Sequence, residues 1–366
     1  MAGNTELELD QLWFTWSTAG LGAMPMGFRV RAASEGLYDT QGMRYRRVNR
    51  FLSYEPPEGA PASEFNSRIA PISLSFVYNG DERLLIRKVF TGQDVVGRNG
   101  VFFAHLIAGL PRSFTARDAI RLWYCSELWV DSEQGLSPNE TTLGKIPYSR
   151  ILNYVQHSQT SFNFGQISDK LQKLLVLILG QGLPPHITMR GHSTLIAALI
   201  YGLTHTLPGQ LLPNLTFTTY ESDTQESEVL IAGTINGSEL QDLTRLQVQP
   251  EQATRLVSED IQRYVTVAVN SLVSSNTDKL YKLIDELERR EYVGVEDLIE
   301  LFKRRFRFGE LTVKQLEDMV LHPADNVEDL LDPAVQVEAA QLLLKYPDYW
   351  KPRGKEVFQQ VLEKLK

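Results

Sequence analysis

The sequence predicts an α+β fold with three parts in chain order: a β-rich N-terminal domain, a small α/β middle layer and an all-helical C-terminal module. Three patterns indicate this order. Residues up to about 130 show period-two alternation with turn signals, residues from about 150 to 250 alternate strand and helix signals, and residues from about 253 onward show helical spacing. We therefore expect domains at 1–148, 149–252 and 253–366.

Strand signals dominate the N-terminal region. Residues 13–17 are aromatic and β-branched, and residues 28–32 alternate apolar and basic side chains, so each segment predicts a strand. Asn79-Gly80 lies between the alternating segments 72–78 and 83–90. Because this dipeptide favours the tight turn that joins two antiparallel strands, we expect a hairpin here.

Helix and strand signals alternate after that region. Thr115 is expected to cap a short helix. We expect a helix from Ser168 that passes into an apolar strand at 174–179, and a short strand at 187–190. A buried helix at Ser193–Thr206 is expected to be capped by Ser193. Strands at 215–220 and 229–233 are expected to pair with each other, which completes a small α/β layer.

The C-terminal third is predicted to be helical. Apolar residues recur with helical spacing at Leu280, Leu283, Ile284 and Leu287, and again at Leu298, Ile299, Phe302 and Phe306. Thr312 with Gln315 forms a capping-box pattern that predicts a further helix. Two more helices are expected at 334–345 and 357–365.

Composition and missing motifs exclude several classes of protein. The chain has 366 residues, 43% of them hydrophobic, so it can bury a core, and its net charge of −8 is not that of a nucleic-acid binder. The sequence contains neither a phosphate-binding loop of the Walker type nor an H-E-x-x-H zinc motif, and no cofactor or metal is expected. Cys125 is the single cysteine, which indicates a cytoplasmic protein, and no apolar run reaches the ~18 residues that span a membrane.

A cluster of arginines lies between residues 29 and 50, opposed only by Glu35 and Asp39. Its members are Arg29, Arg31, Arg44, Arg46, Arg47 and Arg50. Two interpretations stay open. The arginines are solvated charges on an exposed strand pair, or they bind an acidic partner or phosphate-bearing ligand, since guanidinium groups make forked contacts with such groups. The second interpretation includes nucleic acid bound through Arg29–Arg50.

A glycine-rich segment carries the densest set of chemically useful residues. The pattern Gly92-x-Asp94-x-x-Gly97-Arg98-x-Gly100 places an acid and a base among three glycines, and His105 follows. Glycine permits positive φ angles and close approach of the backbone to a ligand. A structural, a binding and a catalytic loop all remain open. Ser34 and Glu55 are further candidate binding residues, because they are polar groups in turning or rigid backbone.

Several short motifs together resemble the GTPase-associated protein family. In the N-terminal domain they are Trp16-Ser17-x-x-Gly20-Leu21, Gly27-Phe28-Arg29-Val30-Arg31-Ala32-Ala33-Ser34-x-Gly36-Leu37, Tyr54-Glu55-Pro56-Pro57, Pro71-Ile72-Ser73-Leu74-Ser75-Phe76, Gly92-Gln93-Asp94-x-x-Gly97-Arg98-x-Gly100 and Phe103-Ala104-His105. In the middle region the motif is Leu212-Pro213-x-Leu215-Thr216-Phe217-Thr218-Thr219-Tyr220. The first set is similar to the family's N-terminal domain of type 2, and the second to its middle region.

This resemblance implies a function without supplying catalytic residues. Members of the family are encoded beside GTPases in bacterial NTP-dependent conflict (anti-phage) systems. The resemblance thus implies a non-enzymatic adaptor that couples a separately encoded GTPase to effector proteins. The family's recurring polar positions correspond to Ser34, Glu55, Asp94, Arg98 and His105. The alternative from the residues alone is a hydrolase or ligand-triggered effector with a site around Asp94, Arg98 and His105.

Overall fold

The computed structural model describes residues 6–22, 26–38, 43–60, 65–93, 99–133, 137, 139–158, 161–225, 227–240, 246–249 and 257–306. The chain divides into two compact units, residues 1–294 and 295–366. A large mixed sheet is followed by helices, which confirms the predicted α+β class. The domain boundaries at 148 and 252 stay predictions.

Within the described residues, ten strands form one sheet. They are β1 (Glu8–Ser17), β2 (Gly27–Ala33), β3 (Ser73–Asn79), β4 (Glu82–Gln93), β5 (Asn99–Leu110), β6 (Ile146–Pro147), β7 (Ile187–Gly191), β8 (Phe217–Thr218), β9 (Ile231–Thr234) and β10 (Leu246–Gln249). Their order across the sheet is β10-β7-β9-β8-β3-β4-β5-β1-β2, and β6 also pairs with β1. The pairs β7–β9 and β8–β9 are parallel, and all other pairs are antiparallel.

Eight α-helices accompany these strands in the part of the chain that the structure describes. They are α1 (Met43–Val48), α2 (Ala116–Arg121), α3 (Tyr148–His157), α4 (Ser168–Gln181), α5 (Ser193–Thr206), α6 (Glu259–Val273), α7 (Asp278–Glu288) and α8 (Val295–Phe306). None of them combines the length and the hydropathy that a membrane crossing requires.

Local signals predicted the hairpin and the cap of α2 correctly. β3 and β4 pair from Ser73 opposite Lys88 to Asn79 opposite Glu82, and Gly80 supplies the positive φ of the turn. Thr115 forms a capping box with Asp118, since the backbone N–H of each residue donates to the side chain of the other. The predicted pairing in the middle region is also confirmed, because β8 lies beside β9.

Two predictions in the middle region are wrong. The expected strand at 174–179 is the second half of α4, which packs against α5 and α6 and is therefore apolar on most sides. Periodicity cannot separate such a buried helical run from a buried strand. The cap of α5 is His192 rather than Ser193, because the ring Nδ1 of His192 accepts a hydrogen bond from the Thr194 N–H at 3.3 Å.

The two faces of the sheet bury different sets of side chains. On one face, Leu12, Ile86 and Leu106 pack with Val48 and Leu52 in a continuous apolar core. The opposite face carries the neighbours of these residues along each strand, because side chains alternate between faces. Trp13, Arg87 and His105 lie side by side there, on β1, β4 and β5.

The C-terminal helices follow the predicted spacing as far as the structure describes them. Leu280, Leu283, Ile284 and Leu287 of α7 are all buried. In α8, Leu298, Leu301 and Phe302 are buried. The predicted capping box at Thr312 and Gln315 lies outside the described residues. The predicted helices at 334–345 and 357–365 also lie outside them.

Candidate functional site

Arg31 lies inside the fold rather than on an exposed strand. It belongs to β2, and its side chain is 1% exposed. Its Nε donates to Glu133 Oε2 at 2.9 Å, its Nη1 to the Glu140 carbonyl at 2.6 Å and its Nη2 to the Ser137 carbonyl at 2.7 Å. The guanidinium therefore holds Glu133, Ser137 and Glu140 against β2, through the forked geometry that arginine provides.

Arg29 has a similar role two residues earlier on β2. It is buried, and its Nη2 donates to the carbonyls of Gly20, Leu21 and Gly22 at 2.9–3.0 Å. The interpretation as solvated strand charges is thus wrong for Arg29 and Arg31.

The remaining arginines of the cluster differ in exposure. Arg44 forms ion pairs with Asp10 and Glu82. Arg46, Arg47 and Arg50 are exposed. Nucleic-acid binding by this stretch therefore stays a prediction that depends on three described, exposed arginines.

Ser34 is fully buried and closes the turn after β2. Its Oγ accepts a hydrogen bond from the Gln11 N–H at 3.0 Å, and its own N–H donates to the Gln11 carbonyl at 2.8 Å. Its carbonyl accepts from the Leu37 N–H. These bonds fix the turn to β1, which is a structural role within the described residues.

His105 is buried between two tryptophans. Its ring makes edge contacts with Trp13 and Trp129, at centroid distances of 6.1 and 5.6 Å. Nδ1 accepts from the Val130 N–H at 3.3 Å, so Nε2 carries the proton and donates to Gln11 Oε1 at 3.1 Å. Burial and the nearby Arg87 charge lower the pKa of His105 to about 3. The ring is therefore neutral at physiological pH, with both nitrogens occupied.

Asp94 and Arg98 lie outside the described residues, so their proximity to His105 stays a prediction. The strands on either side of them are described: β4 and β5 pair as far as Gln93 opposite Asn99. His105 is six residues along β5 from Asn99, which corresponds to roughly 20 Å of extended chain. Gly92 and Gly100 both have positive φ angles, as the glycine pattern indicated.

Glu55 is exposed, unlike the candidate site residues Arg29, Arg31, Ser34 and His105, which are buried. Its carbonyl accepts from the Tyr220 hydroxyl at 2.7 Å, and its Oε2 accepts from the Ser222 hydroxyl at 3.3 Å. It lies at a polar cavity of about 220 Å³, whose wall also includes Arg50 and Lys88.

Lys88 is the residue that sequence reasoning missed. It is 2% exposed, and its Nζ donates to the Ser53 carbonyl at 2.9 Å and lies 3.7 Å from Glu221 Oε1. A signal was present in the sequence. Lys88 continues the inward positions of Leu84 and Ile86 on β4, so a lysine there has to be buried.

A ladder of hydroxyl groups lies beside Lys88 and joins β3 to β8. Ser73 Oγ donates to the Tyr220 carbonyl at 2.8 Å, and Ser75 Oγ donates to Thr218 Oγ1 at 2.8 Å. Thr218 Oγ1 in turn donates to the Tyr220 carbonyl at 3.0 Å. Because each proton points to a fixed acceptor, these hydroxyls satisfy buried polar groups and are poorly placed to act as nucleophiles.

Thiol and metal chemistry have little support in the described part of the chain. Cys125 is 5% exposed, and burial raises the pKa of its thiol. A buried thiol of raised pKa has little of the reactive thiolate. Among the described residues, no group of three or more His, Cys, Asp or Glu side chains could hold a metal ion.

Comparison with known families gives a match, and it covers the N-terminal region that carries the candidate site residues. Residues 8–143 match the family model described as GTPase-associated protein 1, N-terminal domain type 2. This segment is similar to the N-terminal domain of GTPase-associated protein 1. No curated protein matches the chain.

All seven predicted site residues lie within the matched segment, which extends from β1 to just before β6. The cavity beside Glu55 does not belong to that segment alone, because Tyr220 and Glu221 line it as well. The resemblance of the middle region to the same family stays a prediction.

Proposed function

We propose that this chain is a non-enzymatic adaptor of a bacterial conflict (anti-phage) system that couples a separately encoded GTPase to effector proteins through protein–protein contacts. The match of residues 8–143 to the GTPase-associated protein 1 domain carries the proposal, since its name implies association with a GTPase. The proposal places the chain in the cytoplasm, where the GTPase would meet it.

The geometry of the predicted residues supports an adaptor more than an enzyme. Arg29, Arg31 and Ser34 are buried and hydrogen-bonded to the chain's own backbone. His105, the base on which the alternative hydrolase or ligand-triggered effector depends, is neutral, buried and bonded at both nitrogens. A general base must reach the proton that it removes, and His105 is enclosed by protein.

The accessible polar groups around Glu55 are the surface that we assign to partner contact. We call this set the Glu55 surface; its members are the exposed Arg50, Glu55, Asp223 and Glu228 and the half-buried Ser222. Arg50 and Glu228 form an ion pair at 2.9 Å with side chains 52% and 54% exposed. Such a solvated pair adds little to stability, and charges of both signs can give a partner orientation and specificity.

Affinity purification of the tagged chain from its native host, followed by mass spectrometry, tests the adaptor role. We expect a GTPase and effector proteins in fixed stoichiometry. Glu55→Arg should reduce the recovered partner several-fold, because it reverses one charge of the Glu55 surface. Lys173→Glu is the matched control, since Lys173 is an exposed charge on α4 away from that surface.

Two results would contradict the proposal in different ways. Recovery of the chain alone, with no GTPase, would remove the adaptor role. Equal recovery of the GTPase by Glu55→Arg and by the wild type would leave the adaptor role intact and exclude the Glu55 surface as the interface.

A further inference from the structure

A second, larger cavity lies in the first compact unit, next to the turn of the β3–β4 hairpin. It has a volume of about 650 Å³. Its wall is formed by Tyr78 and Arg83 beside that turn, by α2, by the turn after α5 and by the end of α7. Small-molecule sites commonly have volumes of about 300–1,000 Å³, so this cavity has the size of a ligand site.

Four arginines line this cavity: Arg83, Arg112, Arg117 and Arg121. Arg117 is held by the protein itself, because Nε donates to the Thr204 carbonyl at 2.6 Å, Nη2 donates to the Leu207 carbonyl at 3.0 Å and Nη1 pairs with Glu288 at 2.7 Å. Arg83 uses Nη1 on the carbonyls of Pro111, Arg112 and Phe114. Its Nε and Nη2 have no hydrogen-bond partner among the described residues.

Arg121 is oriented by a buried histidine. Its Nε donates to His205 Nε2 at 3.1 Å, while His205 Nδ1 lies 2.9 Å from the Tyr201 carbonyl and donates to it. The His205 ring is buried and stacks on Tyr201 at a centroid distance of 3.7 Å. The two Nη groups of Arg121 have no partner among the described residues, so this guanidinium is positioned with free donors.

Arg112 is the most accessible of the four. Its side chain is 86% exposed and lies 3.4 Å from Asp81, which is 98% exposed. An ion pair so fully solvated contributes little, and it leaves the guanidinium free to turn towards an anion at the cavity.

The acidic side chains at the cavity already have partners in the protein. Asp118 accepts from the N–H and hydroxyl of Thr115 at 2.8 Å. Glu288 pairs with Arg117 and accepts from the Gly209 N–H at 3.3 Å. With four arginines and two carboxylates in the wall, the described lining carries an excess of two positive charges. Such a concave positive surface favours anions.

Gln210 adds a second and independent observation. Its Nε2 donates to the Arg290 carbonyl at 3.1 Å, which fixes the orientation of the amide. Its Oε1 is then a buried acceptor with no hydrogen-bond donor among the described residues, and Gln210 lines this same cavity. Buried polar atoms normally have partners, and the half-buried Gln210 side chain can gain one if its Oε1 turns towards an N–H or O–H of a ligand in this cavity.

We propose that this cavity binds a nucleotide. The phosphate groups would accept hydrogen bonds from Arg83, Arg112 and Arg121, because guanidinium donors match phosphate oxygens in forked pairs. An N–H or O–H of the base or sugar would donate to Gln210 Oε1. Nucleotide binding here goes beyond the adaptor role and does not depend on it, since the chain alone carries every residue named.

Isothermal titration calorimetry of the full-length chain tests this, with GTP, ATP and inorganic pyrophosphate as separate probes. We expect saturable binding of a nucleotide. Arg121→Gln should weaken it about tenfold, as expected when one charge-assisted contact is lost. Arg112→Ala should weaken it about threefold and cannot act through the fold, because Arg112 is 86% exposed. Arg46→Ala, an exposed arginine of α1, is the control and should leave affinity unchanged.

Gln210→Leu separates the two parts of the ligand. It should weaken nucleotide binding and leave pyrophosphate binding unchanged. The proposal is overturned if no probe binds at millimolar concentration, or if Arg112→Ala and Arg121→Gln, still folded by circular dichroism, bind as tightly as the wild type. Equal binding of pyrophosphate and nucleotide, insensitive to Gln210→Leu, would exclude a nucleotide and leave a simple anion site.

Discussion

Replacing Arg31 by methionine should loosen the segment that the guanidinium holds against β2. Methionine retains most of the apolar stem and removes the three hydrogen bonds to Glu133, Glu140 and Ser137. Because the Arg31 side chain is 1% exposed, water cannot replace these three acceptors at the guanidinium group in the folded protein. The acceptors lie near the surface and can be rehydrated in the variant, which limits the loss.

The expected magnitude follows from the three contacts. A net contribution of about 1–1.5 kcal/mol for each of the two carbonyl bonds is typical. The Glu133 pair contributes about 0.5 kcal/mol after screening, since that carboxylate is 36% exposed. The sum is about 3 kcal/mol. With an unfolding entropy of about 2.1 cal/mol/K per residue over 366 residues, we expect a decrease in melting temperature of roughly 4 °C.

Urea denaturation and thermal unfolding of Arg31→Met measure the loss, and hydrogen exchange locates it. The Leu143 amide, which donates to the Ala33 carbonyl on β2, should exchange faster in the variant. Arg46→Met is the matched control on an exposed arginine and should change the free energy of unfolding by less than about 0.5 kcal/mol. A loss below about 1 kcal/mol for Arg31→Met, with unchanged exchange at Leu143, would refute the reasoning.

Three further predictions follow from the described residues. The pKa of His105 is about 3 in the folded chain, whereas the unfolded chain takes up this proton near pH 6.5, so the free energy of unfolding falls as the pH decreases. Between pH 7 and pH 5, His105→Gln should lose about 2 kcal/mol less of this free energy than the wild type, as measured by urea titration. Equal losses would contradict this prediction. Gly20→Ala should destabilise the chain by about 2 kcal/mol more than Gly27→Ala. Both glycines have positive φ angles, but only at Gly20 would an added Cβ lie 2.4 Å from the Val30 carbonyl oxygen. Similar melting temperatures for the two variants would disprove the clash. Cys125 should react with a thiol reagent at pH 8 at least about tenfold more slowly in the native chain than in urea, and equal rates would show that the thiol is accessible.

The sequence predicted elements whose signals are local. The Asn79-Gly80 turn and the Thr115 cap each depend on residues within a few positions, and both form as expected. The run at 174–179 is different. It is helical because neighbours cover it on several sides, and those neighbours lie far away in the sequence.

The candidate site shows the same division. The alternation over 28–32 predicted β2 but not the burial of Arg31, because its hydrogen-bond acceptors belong to Glu133, Ser137 and Glu140, about 100 residues later in the chain. Lys88 was overlooked because its carbonyl partner, Ser53, lies 35 residues earlier. Glu55 was selected for its rigid backbone, and its exposure beside Tyr220 could be known only from the tertiary fold.

The hydroxyl ladder between β3 and β8 also affects how the chain can be divided for experiments. The segment that matches the family model ends at residue 143, whereas the strand that hydrogen-bonds to β3 is formed by Phe217–Thr218. A fragment ending near residue 148 would leave the outer edge of β3 open, with the hydroxyls of Ser73 and Ser75 deprived of their acceptors. Open strand edges recruit other strands, so such a fragment is expected to self-associate. Domain-swap and truncation experiments should therefore cut beyond β10, so that both β3 and β7 keep their paired neighbours.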